Sequence, residues 1–172
     1  MKKKGAIIVG VLVAVVIVVV LVAAIAYPYF YARSWGAKGK LTLTLVLDKT
    51  TMDLNGSINV QYKLTNTGTT DLRVVNPNYG SWVTVLYMNG THVEWVGPSY
   101  APPTRPTDDS LVTLKPGQSI THTSAISTHD WALEHNTTYK TVSSYYSGDE
   151  EKITLPYWKG TLTSNEIVFN VT

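Results

Sequence analysis

The sequence predicts an all-β protein, an antiparallel two-layer β-sandwich preceded by a single N-terminal transmembrane helix. Three observations lead there. Ala6 to Ala26 reads AIIVGVLVAVVIVVVLVAAIA, without one charged or strongly polar side chain. From Leu41 the apolar residues recur with a period of two. Asn-Gly, Pro-Gly and Pro-rich turn signals then separate eight or so short strands, with no long helix among them.

The apolar run is long enough to cross a hydrocarbon core of roughly 30 Å as a helix. Its many valines prefer strands in water. In lipid a lone segment must satisfy its backbone internally, and only a helix does so. Lys2, Lys3 and Lys4 on one flank favour the cytoplasm and place the bulk of the chain outside. Beyond the span, Tyr27, Tyr29, Phe30, Tyr31 and Trp35 form an aromatic belt suited to the headgroup layer. The expected organisation is a basic tail at 1–5, a span at 6–27, a juxtamembrane segment and linker at 28–40, and an extracytoplasmic β domain at 41–172. The expected location is the cell membrane, single-pass, with membrane lipid as partner of the helix.

LTLTLVLD (Leu41–Asp48) puts Leu41, Leu43, Leu45 and Leu47 on one face. SINVQYKLTN (Ser57–Asn66) does the same with Ile58, Val60, Tyr62 and Leu64. Such alternation marks a strand with one buried and one wet face. LRVV is a short strand. WVTVLYM meets HVEWV across Asn89-Gly90, a pair that tolerates the positive φ of a type I′ hairpin. LVTL, KPGQ and SITHTSAI read as a second hairpin around a Pro-Gly turn. THDWALEH can hold one helical turn capped by Thr128. TYKTVSSYY and EIVFNV are the last clear strands. A closed barrel competes with the sandwich, and the strand count and the long loop Gly97–Ser110 favour the sandwich.

Charge excludes one function class. The whole chain carries +2, but beyond Lys40 eight Lys/Arg stand against twelve Asp/Glu. The β domain is therefore acidic and lacks the basic stripe of a nucleic-acid binder. With no cysteine there is no disulfide, thiolate metal site or Cys nucleophile. The richest His cluster, HDWALEH, separates His129 and His135 by six residues, which is not the three or four of paired helical ligands. GDEE (Gly148–Glu151) lacks the alternating acids of a calcium loop. No G-x-S-x-G, P-loop or dinucleotide fingerprint is present. The expectation is no enzyme, no cofactor and no metal site, with a protein partner or self-assembly instead.

Sequons at Asn55, Asn89 and Asn136 fall in expected turns and are glycosylation candidates, while Asn170 lies close to the end of the sequence. Tyr100, Arg105, Trp131, Tyr157 and Trp158, in or beside loops, are the candidate interaction residues. Tyr and Trp bury much area with few rotors. The competing role for such rings is to plug the ends of the sandwich.

VQYKLTNTG (Val60–Gly68), VTLKPGQS (Val112–Ser119), TYKTVSSYYS (Thr138–Ser147) and LTSNEIVFNV (Leu162–Val171) occur in that order. Together they resemble the immunoglobulin-like modules of prokaryotic surface proteins, domains of the intracellular proteinase inhibitor type among them. The resemblance implies a structural or protein-binding module, as an accessory subunit of an envelope or membrane assembly, or a proteinase-inhibitor-like module acting through Gly97–Ser110. Lys4-Gly5-Ala6-Ile7, heading the apolar helix, resembles the processing site of archaeal type IV pilins and archaellins. That resemblance implies cleavage between Gly5 and Ala6 and a helix used as filament core. Ala24-Ile25-Ala26 fits the small-x-small rule of a secretory signal, but the apolar run is longer than its usual core.

Overall fold

The computed structural model describes residues 39–79, 82–98 and 105–172. The chain divides into two units, Met1–Trp35 and Gly36–Thr172, and the described residues belong to the second. The expected span, the aromatic belt and the Gly5-Ala6 site lie outside them. Among the described residues no helix is long and apolar enough to cross a membrane.

Alternation becomes strand wherever one face can be buried. Strands β1 (Leu41–Leu47), β2 (Thr51–Met52), β3 (Ser57–Asn66) and β4 (Leu72–Val75) come first. Then follow β5 (Trp82–Met88), β6 (Thr91–His92), β7 (Leu111–Leu114) and β8 (Ser119–Ser127). The last are β9 (Thr137–Ser147), β10 (Gly160–Thr163) and β11 (Ile167–Val171). One sheet runs β1-β3-β8, all antiparallel. The other runs β2-β11-β9-β5-β6, antiparallel except for the parallel pair β2-β11. β4 and β7 form a separate antiparallel ribbon.

The inward faces meet in one core. Leu45, Val60 and Leu64 come from the first sheet, Leu86, Tyr139 and Phe169 from the second, and Leu72 and Val74 from the ribbon. The register shows why the period of two matters. Leu43 faces Leu64 and Leu45 faces Tyr62, so a slip by one residue would turn every leucine of β1 to water.

β10 and β11 occupy successive lengths of the same edge of β9, and the chain breaks step between them at Ser164 and Asn165. Ser164 N–H donates to Ser143 O (2.8 Å) and its hydroxyl accepts from Ser143 N–H (3.0 Å), so pairing persists through the break. Asn165 turns the other way. Its Oδ1 accepts from Leu45 N–H (2.8 Å) and its Nδ2 donates to Leu45 O (3.2 Å). One side-chain amide thus stands in for a strand residue and covers part of the β1 edge.

Several local expectations shift. Asn89 and Gly90 have φ of 48° and 81°, as a type I′ turn requires, but the strand after them is only Thr91–His92. KPGQ makes its turn without joining a hairpin, since β7 pairs with β4 and β8 with β3. The reason is the end of β3: Asn66 O accepts from Gly117 N–H and Asn66 N–H donates to Gln118 O, docking the turn onto that strand. Thr128–His135 forms turns and a single bridge, Trp95 to Trp131, instead of a helical turn. β2 and β10 escape the periodicity argument because two and four residues are too few to show a period.

Candidate functional site

The two sheets do not close on each other everywhere. β8 ends the first sheet, and β5 is covered by β6 only at Tyr87 and Met88. Between these two edges lies an open cleft of about 380 Å³. Val83, Thr84 and Val85 line it from β5, and His122, Ser124 and Ala125 from β8. Tyr62 and Ile126 lie deeper, while Trp95, Trp131 and His92 stand at one end.

Strand alternation decides which backbone groups face the cleft. Leu86 O accepts from Val93 N–H, so the even residues of β5 point away from β9. The N–H and C=O of Thr84 therefore point to the uncovered side. On β8, Ser127 O accepts from Asp130 N–H and Trp131 N–H, on the side away from β3. The odd residues Thr123 and Ala125 share that side. Among the described residues no strand pairs with either stretch.

The floor is polar where the two layers touch. Tyr62 Oη and Thr84 Oγ1 are 2.5 Å apart, and Thr84 Oγ1 lies 3.3 Å from Ser143 Oγ, a hydroxyl chain between the sheets. Burial pushes the Tyr62 phenol up, so it stays protonated and able to donate. His122 Nδ1 is 2.8 Å from Asn78 Oδ1. Burial pushes this imidazole down, which keeps it neutral at physiological pH. With Asn78 Oδ1 accepting, Nδ1 carries the proton. Trp95 and Trp131 meet edge to face, centroids 5.1 Å apart at 88°, with Trp131 buried and Trp95 38% exposed. The arrangement offers shape, apolar and aromatic surface and backbone hydrogen-bonding capacity.

Three of the rings expected at a contact surface are used for folding. Trp131 is buried, and Tyr157 is 4% exposed. Tyr157 Oη donates to Gly148 O (2.5 Å) and accepts from Glu150 N–H (3.0 Å), pinning the β9–β10 loop. Trp158 stacks on Tyr145 at 5.9 Å, and its backbone N–H donates to Arg73 O (2.8 Å). Tyr157 packs inward because its hydroxyl finds backbone partners there, while Trp131 and Trp158 pack against the rings of Trp95 and Tyr145. Arg105 is exposed and pairs with Glu151 at 3.4 Å, and Tyr100 lies outside the described residues.

Asn55, Asn89 and Asn136 are all exposed in turns, Asn136 at φ 55°. Asn170 is different: it sits in β11, and its Oδ1 accepts from Thr138 Oγ1 (2.7 Å), the hydroxyl of the Asn136 sequon. In HDWALEH, His129, Glu134 and His135 are exposed, and the Asp130 carboxylate accepts from Ser127 Oγ (3.0 Å). In GDEE, Asp149 pairs with Lys159 and Glu151 with Arg105. Among the described residues no three His, Cys, Asp or Glu side chains are grouped to hold a metal ion.

The same loop carries a pH-dependent latch. The Asp108 carboxylate accepts from Thr154 Oγ1 (2.6 Å), Thr154 N–H (2.8 Å) and Leu155 N–H (3.0 Å). The Thr154 hydroxyl first, then the Leu155 amide, hold its pKa below the usual range. A lowered carboxylate pKa contributes stability above the unfolded value of about 3.9 and loses it as pH falls through the folded value. Asp108→Asn is expected to speed amide exchange at Thr154 and Leu155 near neutral pH and to remove the loss of protection that the parent shows below about pH 4. Exchange that is unchanged in the variant would refute the latch.

The cleft residues were the least legible in the sequence, yet a signal exists. In SITHTSAI the inward phase reads Ile120, His122, Ser124, Ile126, and its two polar residues mark where the face is left open, His122 half-buried and Ser124 exposed. WVTVLYM is apolar in both phases, as suits a strand with an open edge.

No protein-family model matches the chain, and no curated protein does. Among solved structures, a Bacillus subtilis protein described as a "putative lipoprotein (ycdA)" is similar with a TM-score of 0.30 and 17% identity. The match covers 79% of this chain and 38% of the other, so this chain spans well under half of that length.

Proposed function

We infer that this chain is a single-pass, envelope-anchored binding module that works without catalysis. The charge-free run Ala6 to Ala26 supports the anchor, and the Lys2–Lys4 flank supports an outward-facing β domain. The two sheets around one core, with strand order β1-β3-β8 against β11-β9-β5, favour the immunoglobulin-like reading of that domain. The observation that carries binding is the cleft of about 380 Å³ between the β5 and β8 edges, walled by Trp95 and Trp131. Such concave, mostly apolar surfaces with a few placed polar groups are where proteins take ligands. Exposed Asn55, Asn89 and Asn136 are the positions at which an outward-facing domain would carry glycans.

A second reading, a filament subunit, rests on Lys4-Gly5-Ala6-Ile7. One experiment separates the two: the intact mass of the N-terminal peptide from native cells, with extraction of the chain by detergent or by shear. An uncut N-terminus and release by detergent alone are expected. A mature chain starting at Ala6 and shed as polymer would replace the anchor with the filament.

A further inference from the structure

We propose that the cleft takes an extended, basic peptide strand, which adds to the free edge of β5; this deepens the binding-module reading and rests on it. Thr84 presents its N–H and C=O to the side of β5 that no described strand covers, and Leu86 N–H lies on the same side. A row of unpaired backbone groups beside an apolar trough is the template that strand addition uses. The stretch Trp82–Val85 is outside the β5-β6 pairing, and Leu86 O beyond it already accepts from Val93 N–H, which leaves about four strand positions at roughly 3.3 Å each.

Alternate side chains of an added strand would face opposite ways. Those turned inward meet Tyr62, Ile126 and Ser124, a pocket suited to small apolar groups. Those turned outward lie beside Val83, 60% exposed, and the rim segments. Charge selects the partner. Residues Trp82–Pro98 and Ser119–Asn136 contain Glu94, Asp130 and Glu134 and no Lys or Arg. Glu94 precedes Trp95 and Asp130 precedes Trp131, so by strand alternation these acids belong to the outer face of the segments whose rings wall the cleft. His122, held neutral by burial, adds no opposing charge. A strand alternating apolar and basic residues matches both faces.

The test uses the full chain in nanodiscs and a labelled peptide of about ten residues alternating Lys and Val, long enough to cover the edge. The Glu–Val counterpart is the charge control. Two further versions carry N-methyl groups on either alternate set, because an edge pairs with only one set of a partner's N–H groups. The expected result is binding of Lys–Val, about tenfold or more weaker binding of Glu–Val, loss on methylating one set only, and new exchange protection at the Thr84 and Leu86 amides. Val83→Lys, on an exposed side chain, is expected to weaken Lys–Val binding and leave the melting temperature unchanged.

Equal binding of both peptides, equal effects of both methylated sets, or no protection at β5 overturns the proposal. Protection that appears without peptide and grows with chain concentration makes the occupant a second copy and also overturns it. Extraction behaviour and N-terminal mass report on the anchor separately. An anchored chain with unprotected β5 amides therefore fails strand addition alone.

Discussion

Replacing Asn66 with aspartate destabilises the β domain more near neutral pH than in acid. Asn66 is fully buried at the end of β3. Its Nδ2 donates to Thr70 O and Leu114 O, both at 2.8 Å, and its Oδ1 accepts from Gly68 N–H at 3.0 Å. One amide therefore ties β3 to the following loop and to β7. Asn66→Ala strands those partners, at roughly 1–3 kcal/mol for each that stays dry, so about 3 kcal/mol is expected in all. Aspartate is worse because an ionised carboxylate turns an acceptor toward two carbonyl oxygens. It can restore one donor only by taking a proton, so its folded pKa must rise above the unfolded value of about 3.9.

The sign follows. A raised carboxyl pKa favours the folded state below the unfolded value and loses that contribution as pH climbs through the folded one. At neutral pH the aspartate variant should be about 3–5 kcal/mol less stable than the parent, and the gap should narrow toward pH ~4. Urea midpoints for parent and both variants across that range decide the matter. If aspartate costs no more than alanine near neutral pH, the amide does not face the carbonyls as described.

Phe169→Ala is expected to cost about 3–5 kcal/mol, in the range for a fully buried aromatic. Phe169 has no solvent exposure and lies in β11 opposite Tyr139 of β9. Their rings stack at 5.5 Å and 23°. Tyr139 is fixed from its other end by Glu134 N–H, which donates to its hydroxyl at 2.6 Å. Because β11 also carries β2, the surroundings cannot collapse into the void without breaking strand pairing. Phe169→Leu, which keeps most of the volume, should cost less than half as much. Equal costs for the two would place the loss in the ring stack and not in the cavity.

Particular residues show how legibility divides. Leu41, Leu43 and Leu45, and Ile58, Val60, Tyr62 and Leu64, are buried on the faces that their spacing assigns. The Asn89-Gly90 turn has its positive φ values. Each is a local fact, settled within one or two turns of chain. Trp131, Tyr157 and Trp158 go the other way. Their loop positions suggest exposed anchors, and the fold packs them inward because Gly148 O and Glu150 N–H lie within reach of the Tyr157 hydroxyl, and Trp95 and Tyr145 within reach of the two indoles. The Asn165 amide and Leu45 are paired over a separation that no local pattern encodes.

The all-β class, most strand faces and the acidity of the β domain can be read from the amino-acid order alone. Those depend on periodicity and charge, which are properties of short stretches and of sums. Packing of distant segments sets the rest: KPGQ joins two different strand pairings, the side-chain amides of Asn66 and Asn165 connect separate strands, and β5 and β8 leave a cleft between them. Strand order and sheet edges are set by which distant faces exclude water together, and that choice is made by the whole chain at once.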